Sequence, residues 1–298
     1  MQLINHVIND VGKRQTHRFY FLADLHYPSV AHDAELAKAT VDHIAKDDNA
    51  HVFLLGDLAE CISIDDKRFD PASIIPGARL RLDDIHNFSL DYLVKLLKPI
   101  RRKIICAVTG NHEETLRKQH QYDLIERLRH ELNKDAETNI RHGGDIAAVR
   151  LLLRWYSNGK QRKPQSSQEC VFLMSHGFGA GRTKGSKINR LMEMSYIMPE
   201  CQGYFMAHHH DRLTDSFVTL GLVRKARELR LKEDKRLLGI TGAFYRTYQE
   251  NSPGNYASKR LYRPSDLGCI YAEISPHHHT SAKPRQWEMR TDVRNLVL

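Results

Sequence analysis

Short apolar runs alternate with helical patterns over the first 133 residues of the chain. Three buried strands are predicted, at Phe19–Ala23, Val52–Leu55 and Ile104–Val108. Apolar residues that recur every three or four positions predict helices after these strands, over 33–46, over 89–98 and around 124–132. Such β-α-β-α alternation is typical of a layered α/β domain.

The second half of the chain carries further strand patterns but less regular spacing. Strands are predicted over 146–156, 171–174, 204–207, 269–274 and 286–289, with a helix through Ile188, Leu191 and Met192. Residues 61–87 are predicted to be a long irregular segment, and loops of that length in compact domains are more often functional than not. Residues 157–168 are predicted to be a polar loop, and His277–His279 a polar turn beside Pro276.

Composition places the chain among ordinary globular proteins. Of its 298 residues, 41% are hydrophobic and 27% are charged, and the length is sufficient for a real core. The longest apolar runs fall well short of the ~20 residues that span a membrane. The N-terminal residues lack the order of a secretory signal, and the five cysteines are scattered without a CxxC pair. We therefore expect a cytoplasmic protein with reduced thiols and no membrane partner.

The net charge adds a hint about partners. The chain carries a formal charge of +9, which suits a polyanion such as DNA or RNA. A solvated basic surface, including the basic run 224–236, explains the same charge equally well. Composition does not separate these two interpretations.

Residues able to bind metals follow five of the predicted strands. They are Asp24 and His26, Asp57, Asn111, His176, and His208 and His210. In layered α/β proteins, side chains at the carboxyl ends of strands converge on one crevice. Carboxylate, amide and imidazole ligands suit Mn, Fe or Zn, and the set exceeds the needs of one tetrahedral ion. Two ions roughly 3.5–4 Å apart that share a carboxylate would use all of them.

Taken in order, these segments resemble the calcineurin-like metallophosphoesterase superfamily. The matching motifs are Asp24-x-His26, Gly56-Asp57-x-x-Glu60, Gly110-Asn111-His112-Glu113, His176-Gly177 and His208-x-His210. The resemblance implies an α/β sandwich of two mixed β-sheets flanked by helices, as one domain over 1–298. Within that domain, we expect 211–268 to be an insertion that caps the cleft or contacts substrate.

The resemblance also implies a role for each matching residue. Asp24, His26 and His210 would hold one metal ion, Asn111, His176 and His208 would hold a second, and Asp57 would bridge them. His112 would protonate the leaving group, and Glu60 would orient His112. The implied cofactors are two divalent ions, with Mn expected first and Fe, Zn or Ni as alternatives.

Two departures from the family pattern leave the ligands intact. Ala207 replaces the glycine usual before the last histidine pair, and Glu60 is longer than the commoner aspartate. Cys61 and Ile62 stand where Ser/Thr protein phosphatases have Arg-Gly, which disfavours protein phosphatase activity.

Three functions follow from the sequence. We expect a phosphodiesterase or nuclease in which a hydroxide that bridges the metals attacks phosphorus and His112 protonates the departing oxygen. A phosphomonoesterase acting on a nucleotide or phosphoprotein is one alternative. A nucleic-acid binding module without catalysis is the other, although the complete ligand set disfavours it.

Several residues outside the ligand set allow more than one interpretation. The Gly-rich segment with Arg182, Lys184 and Lys187 is the best candidate for substrate contact, although such a segment is also typical of a solvated loop. Tyr245 and Arg246 would stack on a base or lie in a core. Glu113 is predicted to favour the start of a helix rather than to bind metal, and strand alternation should direct His209 away from the ligands.

Overall fold

Two mixed six-stranded sheets organise the chain. The computed structural model describes residues 1–298 except 10–14, 63–68, 136, 156–165, 180, 182, 226–227, 251–255 and 280–285. The observed sheets and flanking helices confirm the predicted α/β sandwich.

The first sheet contains the strands predicted in the N-terminal half. In spatial order it consists of β12 (Gln286–Asn295), β11 (Ile270–His279), β2 (His17–Leu22), β3 (Ala50–Leu54), β4 (Ile104–Val108) and β5 (Arg141–Gly144). The four strands from β2 to β5 are parallel neighbours, and the β11–β12 hairpin joins β2 antiparallel. Because these parallel strands run the same way, their carboxyl ends meet along one edge.

The second sheet faces the first. Its order is β1 (Gln2–Ile8), β6 (Ile146–Trp155), β7 (Ser166–Ser175), β8 (Gly203–Met206), β10 (Glu228–Ile240) and β9 (Leu213–Lys225). Strands β7, β8 and β10 are parallel to one another, so β7 and β8 end at the same edge as β2, β3 and β4.

Helices cover the outer faces of both sheets. They are α1 (Ala34–Lys46), α2 (Pro76–Arg79), α3 (Ile85–Leu97), α4 (Asn111–His120), α5 (Leu124–Leu132), α6 (Lys184–Ile197) and α7 (Tyr256–Lys259), with short 3-10 helices at Pro71–Ser73, Leu82–Asp84 and Lys98–Lys103. Apolar residues of α1, α3 and α5 pack on the first sheet, and those of α6 pack on the second. Throughout the described part of the chain, no helix combines the length and the apolar character needed to cross a bilayer.

An aromatic core joins the two sheets. Phe19, Phe21, Phe53, Phe172 and Phe205 are fully buried between them. The rings of Phe21 and Phe205, from opposite sheets, stack with centroids 3.9 Å apart. This core holds the strand ends of the two sheets in a fixed relative position.

One local prediction was wrong, and one hairpin was not predicted. Residues 277–279 continue β11 and pair with 286–288 of β12, so they are strand residues rather than a turn. The basic run 224–236 lies largely in the β9–β10 hairpin, which the sequence did not predict.

Of the predicted loop 157–168, residues 166–168 begin β7 and the remainder lies outside the described residues. Of the predicted irregular segment 61–87, residues 63–68 likewise lie outside them, and α2 and two of the 3-10 helices follow.

Candidate metal centre

The backbone turns sharply after the strands that carry the candidate ligands. Positive φ angles occur at Asp24 (53°), His26 (50°), Asp57 (49°), His208 (69°) and His210 (51°). Residues other than glycine rarely adopt this left-handed conformation, and such outliers concentrate at functional sites. The turns direct these side chains into the space between the two sheets at their common edge.

Asp24, His26 and His210 form the first group of potential ligands. Asp24 Oδ1 lies 3.3 Å from His210 Nε2 and 3.6 Å from His26 Nε2, and the two nitrogens are 3.2 Å apart. This oxygen is buried, yet among the described residues no donor of hydrogen-bonding geometry reaches it. Separations slightly above 3 Å are those of atoms that share one ion at about 2 Å. The group therefore fits a divalent cation.

Asp57, His176 and His208 form the second group, with Asn111 beside them. His176 Nε2 lies 3.1 Å from Asp57 Oδ2, 3.0 Å from Asn111 Oδ1 and 3.3 Å from His208 Nδ1. The other ring nitrogen of His176, Nδ1, donates to the carbonyl of Leu55 at 2.6 Å, which leaves Nε2 for the group. These atoms also fit a divalent cation.

The two groups are strongly coupled electrostatically. Burial alone would raise the pKa values of Asp24 and Asp57, but the neighbouring imidazoles lower them. Burial lowers the pKa of His176, but Asp57 raises it to about 9. Protons on the imidazoles thus offset the buried carboxylates, and a cation bound there would displace those protons.

Glu60 contacts a different histidine from the one that the resemblance implied. Its carboxylate Oε2 lies 2.9 Å from Nδ1 of His26, whereas Nδ1 of His112 contacts the main-chain carbonyl of Glu60. The carboxylate consequently orients His26, and the carbonyl orients His112. The side chain of glutamate is long enough to reach His26, which was not evident from motif spacing.

Replacement of Glu60 by glutamine tests this geometry. We expect Glu60→Gln to weaken metal affinity about 10–100-fold, because the amide supports a ligating imidazole less well than a carboxylate does. Chelator-competition titration measures that affinity, and kcat at saturating metal should change little. If kcat fell while metal affinity stayed constant, Glu60 would act on His112 instead.

His112 lies beside both ligand groups but makes none of the close ligand–ligand contacts described above. Its main-chain N–H donates to Asp57 Oδ1 at 3.0 Å, and its Nε2 lies 3.9 Å from Asp57 Oδ2. Its ring meets that of His26 edge-on, with centroids 4.9 Å apart. With Nδ1 against the Glu60 carbonyl, Nε2 is the nitrogen that faces the cluster.

Glu113 has a role that the sequence prediction missed. It occupies the first turn of α4, as predicted, and accepts from the N–H of Gly110 at 3.1 Å. It is also buried and accepts from the N–H groups of Asp57, Leu58 and Ala59 at 2.9, 2.7 and 3.2 Å. One carboxylate therefore ties the loop after β3 to the start of α4.

Glu113→Gln should destabilise the fold by about 3 kcal/mol, because two of the four N–H groups would then face an amide donor inside the protein. Urea unfolding measures the difference. Glu114→Gln is the matched control, since Glu114 pairs with Arg117 and Lys118 at the surface and should contribute under about 0.5 kcal/mol. Equal losses of stability in the two variants would show that Glu113 does not tie the loop after β3 to the start of α4.

Two glycines allow the same loops to meet. A Cβ at Gly56 would lie 2.4 Å from the nitrogen of Gly110, and a Cβ at Gly110 would lie 2.2 Å from the nitrogen of Asp57. Gly56 also has φ of 84°, a conformation that favours glycine. The loops after β3 and β4 therefore touch through their main chains.

The basic residues that were predicted to contact substrate lie in different environments. Lys187 is buried, and its ammonium binds the Asp211 carboxylate and donates to the carbonyl of His209 at 3.1 Å. It therefore supports the segment that carries His208 and His210, rather than presenting its charge to solvent. Lys184 is exposed at the start of α6, and Arg182 lies outside the described residues.

Part of the predicted insertion 211–268 reaches the cluster. Residues 213–225 and 228–240 belong to strands β9 and β10, whereas the centroid of the Tyr245 ring lies 5.0 Å from that of His26 and 5.6 Å from that of His210. Arg246 pairs with Asp33 at 2.5 Å. Tyr245 thus forms a wall of the first ligand group.

The chain belongs to the calcineurin-like phosphoesterase family. The family model matches residues 17–212, which include every candidate ligand and both sheets' ligand-bearing strand ends. The match confirms the resemblance inferred from the five motifs. Membership establishes a metallophosphoesterase with candidate ligand clusters for divalent metals.

The chain was also compared with individual proteins. No curated protein matches the chain significantly. The crystal structure of Vps29 from Chaetomium thermophilum is similar at 7% sequence identity and a TM-score of 0.35, with 93% of this chain and 98% of that chain covered.

Proposed function

We propose that this protein hydrolyses phosphodiesters with two divalent metal ions, and that nucleic acid is its substrate class. One observation carries the proposal. Ligand-competent atoms form the two groups described above at one sheet edge, and the imidazole of His112 lies next to both, 3.9 Å from Asp57 and grouped with His26 and Glu60. This division of roles matches the requirements of in-line displacement at phosphorus.

Ligand roles follow from the distances. We assign Asp24, His26 and His210 to one ion and Asn111, His176 and His208 to the other. Burial lowers the pKa of His26, but Glu60 and Asp24, and more weakly Asp57, raise it. Asp57 also lies against His176, and its proximity to both groups supports a bridging position. When bound, the ions supply a nucleophile from water and neutralise charge on phosphate oxygens.

The chain itself provides proton transfer and orientation. The Glu60 carbonyl accepts from Nδ1 of His112, so Nε2 is the nitrogen that exchanges a proton with the substrate. Asp57 Oδ1 holds the main-chain N–H of His112 and thereby fixes the start of α4. The oxygen that departs from phosphorus needs such a proton donor, because an unprotonated alkoxide is a poor leaving group.

The preference for diesters rests on charge. The net charge of +9 favours a polyanionic substrate, for which a nuclease is the simplest activity. Manganese is the first metal to test, since mixed oxygen and nitrogen ligands suit it. The cytoplasmic location and Lys184 as a substrate contact stay predictions.

A metal-by-substrate panel tests the proposal. Protein stripped with chelator and reloaded with Mn, Fe, Zn or Ni is assayed on bis-p-nitrophenyl phosphate, p-nitrophenyl phosphate, DNA, RNA and cyclic nucleotides. We expect the highest kcat/KM with the diesters and Mn. Preference for the monoester would overturn the diester assignment, and nucleic-acid binding without cleavage would overturn hydrolysis.

A further inference from the structure

The β9–β10 hairpin extends beyond the sheet to which it belongs. Strand β10 pairs with β8 only at Leu237–Ile240, whereas β9 and β10 pair with each other from 213–225 and 228–240. We name the projecting part, 218–224 with 229–235, the arm. A two-stranded ribbon alone is marginally stable in water, so an arm of this length gains stability from a partner surface.

One face of the arm is apolar and exposed. Side chains alternate along each strand, and directly opposed residues share a face. The pairs Leu222–Leu231, Leu220–Glu233, Val218–Lys235 and Arg224–Leu229 therefore project together. Its five apolar members are between 59% and 71% exposed: Val218, Leu220, Leu222, Leu229 and Leu231. We name this surface the arm face.

The other side of the arm has a different character. It carries Thr219, Gly221, Arg230, Lys232 and Asp234 with a single apolar residue, Val223, and Lys232 pairs with Asp234 at 2.6 Å. Apolar residues are thus concentrated on one side, as in strands that pack against another layer. At its inner end the arm face meets β12, where Lys235 Nζ lies 3.7 Å from Asp292 Oδ1. Beyond that contact, and within the part of the chain that the structure describes, the five apolar side chains keep the exposed fractions given above.

The size of the arm face is that of an interface. Five aliphatic side chains at this exposure present on the order of 500 Å² of apolar surface, the upper range for a patch on a monomer. A standard protein interface buries roughly 800 Å² per partner, including its polar rim. Arg224 and Lys235, in the two end rows of the face, supply part of such a rim.

From this arrangement we infer that the arm face packs on the arm face of a second copy of this chain, forming a two-fold dimer. A two-fold axis across the arm through the row Leu222–Leu231 places the row Leu220–Glu233 over the row Arg224–Leu229 of the other copy. Glu233 then lies in the same row as Arg224 of the second copy, one strand away and within reach of its long side chain. These two charges are complementary, and two-fold contacts are the commonest form of protein assembly.

The charge pattern also distinguishes this occupant from others. Glu233 lies in the middle of the face, which disfavours both insertion into a lipid bilayer and contact with phosphates. The cations of the hairpin lie on both sides of it, so they do not form one basic track along the arm face. A self-complementary protein surface accounts for both the apolar residues and the mixed charges.

Oligomeric mass measured across concentrations tests the inference on the full chain. Sedimentation and light scattering should give twice the 34.5 kDa chain mass for the wild type at micromolar concentration. Leu222→Arg should weaken association by about a hundredfold or more, since each dimer loses two central leucines. Val223→Arg is the matched control: it adds the same charge one residue further along, on the opposite side of β9, and should leave the mass unchanged.

A charge exchange tests the two-fold arrangement itself. Glu233→Arg and Arg224→Glu should each weaken the dimer, and the double variant should restore it. Circular dichroism, metal content and kcat/KM should stay at wild-type values in all these variants, because the arm lies away from the ligands. A wild-type monomer at every concentration, or a dimer unaffected by Leu222→Arg, would overturn the inference. It would equally be overturned if Leu222→Arg abolished only binding to lipid vesicles or DNA while the mass remained that of one chain.

Discussion

Asp57→Asn is expected to empty at least one metal position and to lower kcat/KM by more than about 10³-fold. Asp57 is buried at 2% exposure, with Oδ2 3.1 Å from His176 Nε2 and Oδ1 accepting from the N–H of His112. Asparagine preserves the shape but removes the charge that both groups of imidazoles face. The buried cations would then lack their central counter-charge, which is costly in a site closed to water.

Elemental analysis of the purified variant measures the metal content directly. Asp91→Asn, an identical change on the exposed side of α3, is the control and should retain wild-type metal content and activity. Full metal occupancy in Asp57→Asn would show that Asp57 does not lie between the ions. The bridging assignment would then be wrong, even if turnover were slow.

His112→Asn should leave both metals bound while lowering kcat by about 10²–10⁴-fold, the usual contribution of a positioned general acid. Asparagine cannot transfer a proton, but the ligand atoms around Asp24 and His176 remain. The loss should be largest for substrates with alcohol leaving groups and smaller for p-nitrophenolate, which departs without a proton. Comparison of kcat across leaving groups therefore separates proton donation from a change in substrate binding.

His120→Asn provides the control for His112, since His120 lies exposed at the other end of α4. It should leave kcat and its dependence on the leaving group unaltered. Loss of metal in His112→Asn would instead make His112 a ligand, together with His26 and Glu60, whose donor atoms lie close to it.

The sequence predicted the ligand-bearing part of the fold well because its strands are buried on both faces. Phe19–Phe21 and Ile104–Val108 form continuous apolar runs, and a run of this kind followed by a polar residue marks a strand end. Strands β9 and β10 carry a different pattern. Leu229 and Leu231 alternate with charged residues and Leu220 and Leu222 with Thr219 and Gly221, and all four leucines are exposed. Such alternation is typical of a strand, but the basic run 224–236 was interpreted from its charge as a solvated surface.

The contacts that the side chains of Glu60 and Glu113 make could not be predicted from the spacing of the motifs. Glu113 was assigned to the start of its own helix, and Glu60 was assigned by the family resemblance to orient His112. In the structure the Glu60 side chain crosses to His26, and Glu113 binds main-chain groups more than fifty residues earlier. Lys187 likewise lies in a segment rich in glycine and cations but turns inward to Asp211. Such choices depend on contacts between loops that only the assembled sheets bring together.

The contact between Gly56 and Gly110 has a consequence for how the protein tolerates change. Since peptide backbone meets peptide backbone there, the separation of the two loops is set by main-chain contact and not by any side-chain conformation. Asp57 and Asn111, which directly follow these glycines, should therefore keep their relative position when the side chains around them are changed. The positions of His176 and His208 relative to this pair depend instead on the aromatic packing between the sheets, so the two halves of the site should differ in the substitutions they tolerate.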